Sequence, residues 1–217
     1  MSEFNYWLAE VLENYGKEYT LEVDAAFYGY HKYYRNDPSR RRETGFKESQ
    51  LAYSVIREMK PNVVWDVGCG DGGSTYPLLC AIKKNEKGVV YAFEAIYERY
   101  ENATRNLVEF KDRVRLTPGD IREIALPEGM DILFLDATHE ATFAEWHVAT
   151  LWPRATFIHV HDVYYGDHPT VDERAVVLKA LEADGYDAVP DHTLLGSVGA
   201  DARGPGSANS GIWIRRK

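Results

Sequence analysis

Apolar residues in this chain fall in short runs separated by stretches of helical spacing. Apolar-rich runs occur at 63–67, 89–93, 114–117, 132–135 and 156–160. Helical spacing occupies 74–84, 97–109 and 140–151 between them, and 172–183 after the last. Strand-helix alternation of this kind predicts an α/β domain with a doubly wound, parallel sheet and helices on both faces. The C-terminal end breaks the pattern. "YDAVPD" (186–191) and "SGIWIRR" (210–216) read as two short strands separated by a polar, Gly-rich stretch. They predict a closing antiparallel hairpin strand, which makes seven strands in all. The long connection between them is either functional or mobile.

The N-terminal part is organised differently. Tyr6, Trp7, Leu8, Val11 and Leu12 have helical spacing over 4–15. Residues 15–34 are crowded with Tyr15, Tyr19, Phe27, Tyr28, Tyr30, Tyr33 and Tyr34, and "RNDPSRRRETGF" reads as a loop. A helix is predicted over 47–59, stopping before Pro61. We therefore divide the chain into an N-terminal helical, aromatic-rich extension or lid (1–45) and a main domain (46–217). The exposed amphipathic segment packs either on a second subunit, as in a homodimer, or on its own domain.

The 217-residue length suits one such domain with a modest extension. No apolar run approaches the roughly 20 residues that span a bilayer, so no membrane partner is expected. The acidic N-terminus does not read as a secretory signal. Cys69 and Cys80 form neither a zinc pattern nor a disulfide framework, which points to a reducing, cytoplasmic setting. A net charge of −9 speaks against nucleic acid as partner. Arg40, Arg41 and Arg42 read as a solvated loop or as an anion contact near the site, and Arg215, Arg216 and Lys217 as a solvated tail.

The densest chemical signal is "VVWDVGCGDGGST" (63–75), where an apolar run ends in Asp66 and is followed by Gly68, Gly70, Gly72 and Gly73. A glycine-rich turn between a strand and a helix lets backbone approach a ligand closely and offers free N–H groups. That is a nucleotide-cofactor cradle, and Gly68, Gly70 and Gly73 satisfy a dinucleotide fingerprint. Glu94, at the end of the second strand about 20 residues on, is placed to accept from a ribose diol. Asp120 in "PGDI" is placed to accept from an adenine amino group.

"DVGCGDGG", Glu94 and "GDI", occurring in order from about residue 47 to the C-terminus, resemble the class I S-adenosylmethionine-dependent methyltransferases. The resemblance implies a Rossmann-like sheet whose last strand is antiparallel, and S-adenosylmethionine as cofactor. It places Gly68 and Gly70 near the methionine part, Glu94 on the ribose, and Asp120 with Ile121 beside the adenine, while Asp66 orients the turn. Cys69, Gly72, Ser74, Ala95 and Asp136 complete the cofactor-contacting set. Lys47 and Glu48 either meet the polar end of the cofactor or are solvated.

The C-terminal ends of strands four and five should carry the chemistry. "ILFLDATHEATF" places Asp136 and His139 there, and "FIHVHDVYYGDH" places His161 and Asp162. Neighbouring strands lie about 4.8 Å apart, so Asp136 and Asp162 are near enough to share a divalent cation such as Mg²⁺ or Mn²⁺. These segments resemble metal-dependent small-molecule O-methyltransferases of the catechol, antibiotic-sugar and cephamycin-pathway types. Those enzymes have an acid after strand four and two adjacent ligands after strand five. Here His161 stands in the first of the two adjacent positions, and imidazole suits Mn²⁺, Fe²⁺ or Zn²⁺ better than Mg²⁺. His161 is a third ligand, a base or a core residue.

The implied activity is methyl transfer to an oxygen of a small-molecule, natural-product-like acceptor, with His139 taking the proton. An acceptor with two neighbouring oxygens suits chelation. Residues 15–34 and the rim "YYGDHPTVDE", with Tyr164, Tyr165 and His168, are candidate acceptor contacts; Trp146 reads as core. Four alternatives stay open. One is a metal-free enzyme with His139 or His161 as general base. Another is an NAD-dependent oxidoreductase. The others are a non-catalytic cofactor-binding subunit, and a methyltransferase acting on nucleic acid or protein.

Overall fold

A computed structural model of the chain describes residues 2–22, 43–163, 173–183, 185–195 and 211–217. The strands are β1 (Val63–Val67), β2 (Val89–Glu94), β3 (Val114–Pro118), β4 (Ile132–Leu135), β5 (Phe157–Val160), β6 (Tyr186–Pro190) and β7 (Ile212–Arg216). They form one sheet in the order β3-β2-β1-β4-β5-β7-β6. β1 is central and pairs in parallel with β2 and β4, with Val64 opposite both Val90 and Ile132. β7 runs antiparallel to both β5 and β6. This is the predicted sheet, with strand ends shifted by no more than two residues.

The helices are α1 (Glu3–Glu22), α2 (Glu43–Met59), α3 (Thr75–Asn85), α4 (Tyr97–Asn106), α5 (Ala141–Thr150), α6 (Glu173–Leu181) and the short α7 (Asp191–Leu195). Alternation along β1 assigns the two faces. Val64 joins a core with Leu8, Leu51, Ile56, Leu79 and Ala103 from α1–α4. Trp65 and Val67 join the opposite core with Phe143, Trp152 and Val177, on the side of α5 and α6. Both faces are covered, so strands such as β1 are almost continuously buried. Among the described residues no helix is long and apolar enough to cross a membrane.

Three helical expectations are corrected. α2 begins at Glu43, and the helix predicted over 97–109 breaks into α4 and a 3₁₀ turn, Val108–Phe110. α1 runs on to Glu22, through the first aromatics of the predicted lid. Tyr19 packs on Tyr53 with ring centroids 5.4 Å apart, and the Arg57 guanidinium lies 5.3 Å from the Tyr15 ring centre. These two tyrosines are packing residues, while Phe27, Tyr28, Tyr30, Tyr33 and Tyr34 lie outside the described residues.

Gly16 explains how the two helices come close. Gln50 Nε2 donates to its carbonyl at 2.6 Å, and a Cβ at Gly16 would stand 3.0 Å from that nitrogen. Arg57 then bonds Glu18 at 2.7 Å from α2 to α1. The amphipathic face of α1 is thus turned to its own domain, with Phe4, Leu8, Val11 and Tyr19 buried. Removing the Leu8 side chain should cost about 2–5 kcal/mol. Urea unfolding of Leu8→Ala should show this as a lower midpoint of the main transition; an unchanged midpoint would mean that α1 is not docked.

Candidate active site

The strand order reverses at β1, so the helices that follow β1 and β4 lie on opposite faces of the sheet and leave a crevice at the C-terminal ends of the strands. The glycine turn forms one wall. Gly68 has φ +88° and passes so close to β4 that a Cβ there would stand 2.0 Å from the carbonyl oxygen of Asp136. The N–H groups of Gly68 and Cys69 donate to the Phe93 carbonyl at 2.9 and 3.1 Å, tying the turn to β2. Its tip is braced from α4, where Asn102 bonds the Asp71 carboxylate and Asn106 the Asp71 carbonyl.

Two buried acids organise this turn from behind. Asp66 Oδ2 accepts from the hydroxyls of Ser74 (2.8 Å) and Thr75 (2.6 Å), while Oδ1 has no hydrogen bond among the described residues. Burial pushes the Asp66 pKa up to about 6; the two hydroxyls pull against this, and the charges of Asp136 and Glu94 add to it. Glu94 accepts from the N–H of Gly70 through Oε2 and of Ile96 through Oε1, both at 2.8 Å. An ionised carboxylate has about four lone-pair sites, so two remain for a ligand. Burial, reinforced by Asp66 and Glu94, keeps the Cys69 thiol protonated.

A cavity of about 290 Å³ opens over these strand ends. Of the predicted cofactor residues, Gly68, Glu94, Ala95, Asp120, Ile121 and Asp136 line it. Asp66, Cys69, Gly70, Gly72 and Ser74 do not; they build the turn behind it. Ile96, Arg99, Arg122 and Phe143 also line it and were not foreseen. Asp120 is placed as predicted, yet both its oxygens are engaged by Arg122, through Nε, Nη2 and the backbone N–H at 2.5–3.0 Å. This pairing lowers the Asp120 pKa and occupies its acceptor sites.

Next to the cavity, the ends of β4 and β5 bring Asp136, His161 and Asp162 together. One ligand atom from each lies within 4.8 Å of the others. Asp162 takes φ +58°, a left-handed conformation that turns the chain directly after His161. His161 Nδ1 is 3.1 Å from Asp162 and 3.5 Å from Asp136, without the alignment of a hydrogen bond to either. Its Nε2 is 3.2 Å from Glu48 Oε2. Glu48 therefore faces this cluster, a partner unforeseen from the sequence; the side chain of Lys47 lies outside the described residues. Burial alone would lower the His161 pKa, but the surrounding carboxylates hold it well above its ordinary value.

His139 completes the group. Its Nε2 faces Asp162 at 3.6 Å and Asp136 at 4.0 Å. Its Nδ1 bonds the buried Glu173 at 2.7 Å, and Glu173 also takes His147 at 3.0 Å. The Glu173 bond raises the His139 pKa against the effect of burial. Burial would raise the Glu173 pKa, but its two imidazole partners keep it low. Glu173 ends the predicted rim "YYGDHPTVDE" but was not singled out there, because an acid in the first turn of a helix reads as a favourable end charge. Trp146, expected in the core, is only half-buried and stacks on Phe143 at the core's margin. Tyr164, Tyr165 and His168 lie outside the described residues.

Residues 66–163 match a family described as a methyltransferase domain. No curated protein matches the chain. Among solved structures, an O-methyltransferase from Bacillus cereus in complex with SAH superposes with a TM-score of 0.67 at 15% identity. The match covers 95% of this chain and 100% of that one. The SAH-bound methyltransferase PaMTH1 of Podospora anserina gives 0.65 at 14% identity, covering 88% of each. TomG of Streptomyces achromogenes, an O-methyltransferase involved in tomaymycin synthesis and solved with SAM, gives 0.57 at 16%, covering 77% and 78%. At these identities the likeness is one of fold.

The Asp66 shift has a testable sign. Because the folded pKa is raised, folding disfavours the ionised form. Stability present below the unfolded value, near 3.8, is lost as pH rises to about 6. Relative to Asp66→Asn, the ligand-free wild type should lose on the order of 3 kcal/mol across that window and stay level above it. Urea titrations of both proteins at several pH values measure this, and a constant difference would contradict the assignment.

Proposed function

We propose that this chain, which carries a methyltransferase domain on the class I S-adenosylmethionine-dependent fold, methylates an oxygen of a small-molecule acceptor with the help of a divalent metal. The domain match and the O-methyltransferases of the same fold support an S-adenosylmethionine-dependent O-methyltransferase. One observation carries the finer reading: Asp136 belongs both to the wall of the cavity and to the Asp136–His161–Asp162 cluster. A donor seated in the cavity and an acceptor held at the cluster are then neighbours.

The residues present fit both groups. Glu94 keeps two acceptor sites for a ribose diol, and Ile96, Ile121 and Phe143 supply apolar flanks for a base. Asp120 holds Arg122 in place at that rim in this arrangement. The cluster offers two carboxylates and an imidazole whose Nδ1 makes no hydrogen bond, a donor set suited to a divalent ion. S-adenosylmethionine supplies a methyl group on a sulfonium, and a divalent ion lowers the pKa of an acceptor hydroxyl bound to it.

The chain supplies position and a proton acceptor. Asp136 and Asp162 orient the acceptor oxygens beside the cavity mouth, and a vicinal diol, catechol or hydroxy-carboxylate matches them best. Glu173 holds His139 Nδ1, so His139 Nε2 faces the acceptor side and takes the hydroxyl proton. The same His139–Glu173 pair favours a second reading, in which transfer needs no metal and His139 alone activates the hydroxyl.

Methyl transfer from labelled S-adenosylmethionine to a panel of vicinal diols, catechols and hydroxy acids, with and without EDTA, separates these readings. The first expects transfer to at least one class that stops with EDTA. Transfer indifferent to EDTA supports the second, and no transfer despite cofactor binding would point to a binding subunit. Replacing Glu94 by Ala should weaken S-adenosylmethionine binding by about 1.5–3 kcal/mol through lost charge-assisted bonds. Equal affinity in a calorimetric titration would remove Glu94 from the cofactor site. Asp136→Asn should lower metal-dependent transfer by at least about 100-fold, and unchanged turnover would remove the metal role.

A further inference from the structure

The geometry points to Glu48 as the residue that fixes His161 for metal binding through Nδ1, which makes the centre one for a first-row transition ion such as Mn²⁺ rather than for Mg²⁺. This rests on the metal reading above. Glu48 belongs to α2, 113 residues earlier in the chain, and neither the family match nor the glycine turn includes it. Its side chain is 14% exposed and meets His161 at Nε2.

An ionised carboxylate only accepts, so the single proton of a neutral imidazole belongs on Nε2, facing Glu48. That leaves the Nδ1 lone pair directed at Asp136 and Asp162, whose oxygens also only accept. Once the ring gives up its Nδ1 proton, three acceptor atoms lie within 4.8 Å of one another. A divalent cation bound there takes the place of the Nδ1 proton, and a carboxylate behind a ligating imidazole is the usual way such a ring is oriented and made more basic. An imidazole ligand favours Mn²⁺, Fe²⁺ or Zn²⁺, whereas Mg²⁺ favours an all-oxygen set. His139 is likewise backed by a carboxylate, but it stands outside the trio.

The test uses the full chain, Mn²⁺ as probe and no cofactor. Electron paramagnetic resonance should show Mn²⁺ bound by the wild type, with ¹⁴N modulation from a directly coordinated imidazole. Glu48→Gln keeps the shape and removes the charge, and should bind Mn²⁺ about 10–100-fold more weakly. Mn²⁺ bound without nitrogen coupling, or bound equally by Glu48→Gln, would overturn the inference while leaving a metal-assisted mechanism standing. No Mn²⁺ binding by the wild type would overturn the metal reading itself, and this inference with it.

Discussion

The close passage of Gly68 against the carbonyl of Asp136 is the contact on which the rest of the site depends. Only a residue without a Cβ fits there, and its left-handed φ suits glycine for a second reason. Because the turn after β1 lies directly on the turn after β4, the cavity wall and the carboxylate cluster share Asp136. A side chain at position 68 would push them apart. Methyl transfer needs donor and acceptor in line at near-contact distance, so this packing detail links fold to chemistry.

Electrostatics is the second constraint. Asp66, Glu94, Asp136, Asp162, Glu48 and Glu173 crowd the C-terminal edge of the sheet. Buried charge of one sign is costly unless it is paired or hydrogen-bonded. The chain meets that cost locally: hydroxyls for Asp66, backbone N–H groups for Glu94, and imidazoles for Glu173 and Glu48. Asp136 and Asp162 are left facing the nitrogens of His139 and His161 at 3.1–4.0 Å. An edge built this way favours positive ligands, as a sulfonium and a divalent cation both are. The raised pKa of His161 expresses the same excess of negative charge, whereas that of Asp66 comes first from its burial.

Much of this was legible in the sequence because it is written in local patterns. Parallel strands buried on both faces appear as continuous apolar runs, and the glycine turn, Glu94 and Asp120 sit at fixed offsets from them. Helix ends were less legible: helical spacing is evident only to residue 15, yet α1 runs on to Glu22, with Gln50 of α2 packed against Gly16. The least legible features are contacts across distant segments. Nothing local marks Glu48 as the partner of His161, or Glu173 as the group that holds His139 and His147. Nor does "PGDI" reveal that Arg122, two residues on, occupies the Asp120 carboxylate. Such pairings arise from packing between elements, which spacing along one strand or helix does not encode.

The fingerprint Gly68, Gly70 and Gly73 with Glu94 also suits a dinucleotide, so cofactor identity is the central claim to test. The direct measurement is a calorimetric titration of the wild-type chain with S-adenosylmethionine, and separately with NAD. The account predicts S-adenosylmethionine binding in roughly the micromolar range, about −8 kcal/mol, and no heat with NAD. Binding of NAD with none of S-adenosylmethionine would contradict it.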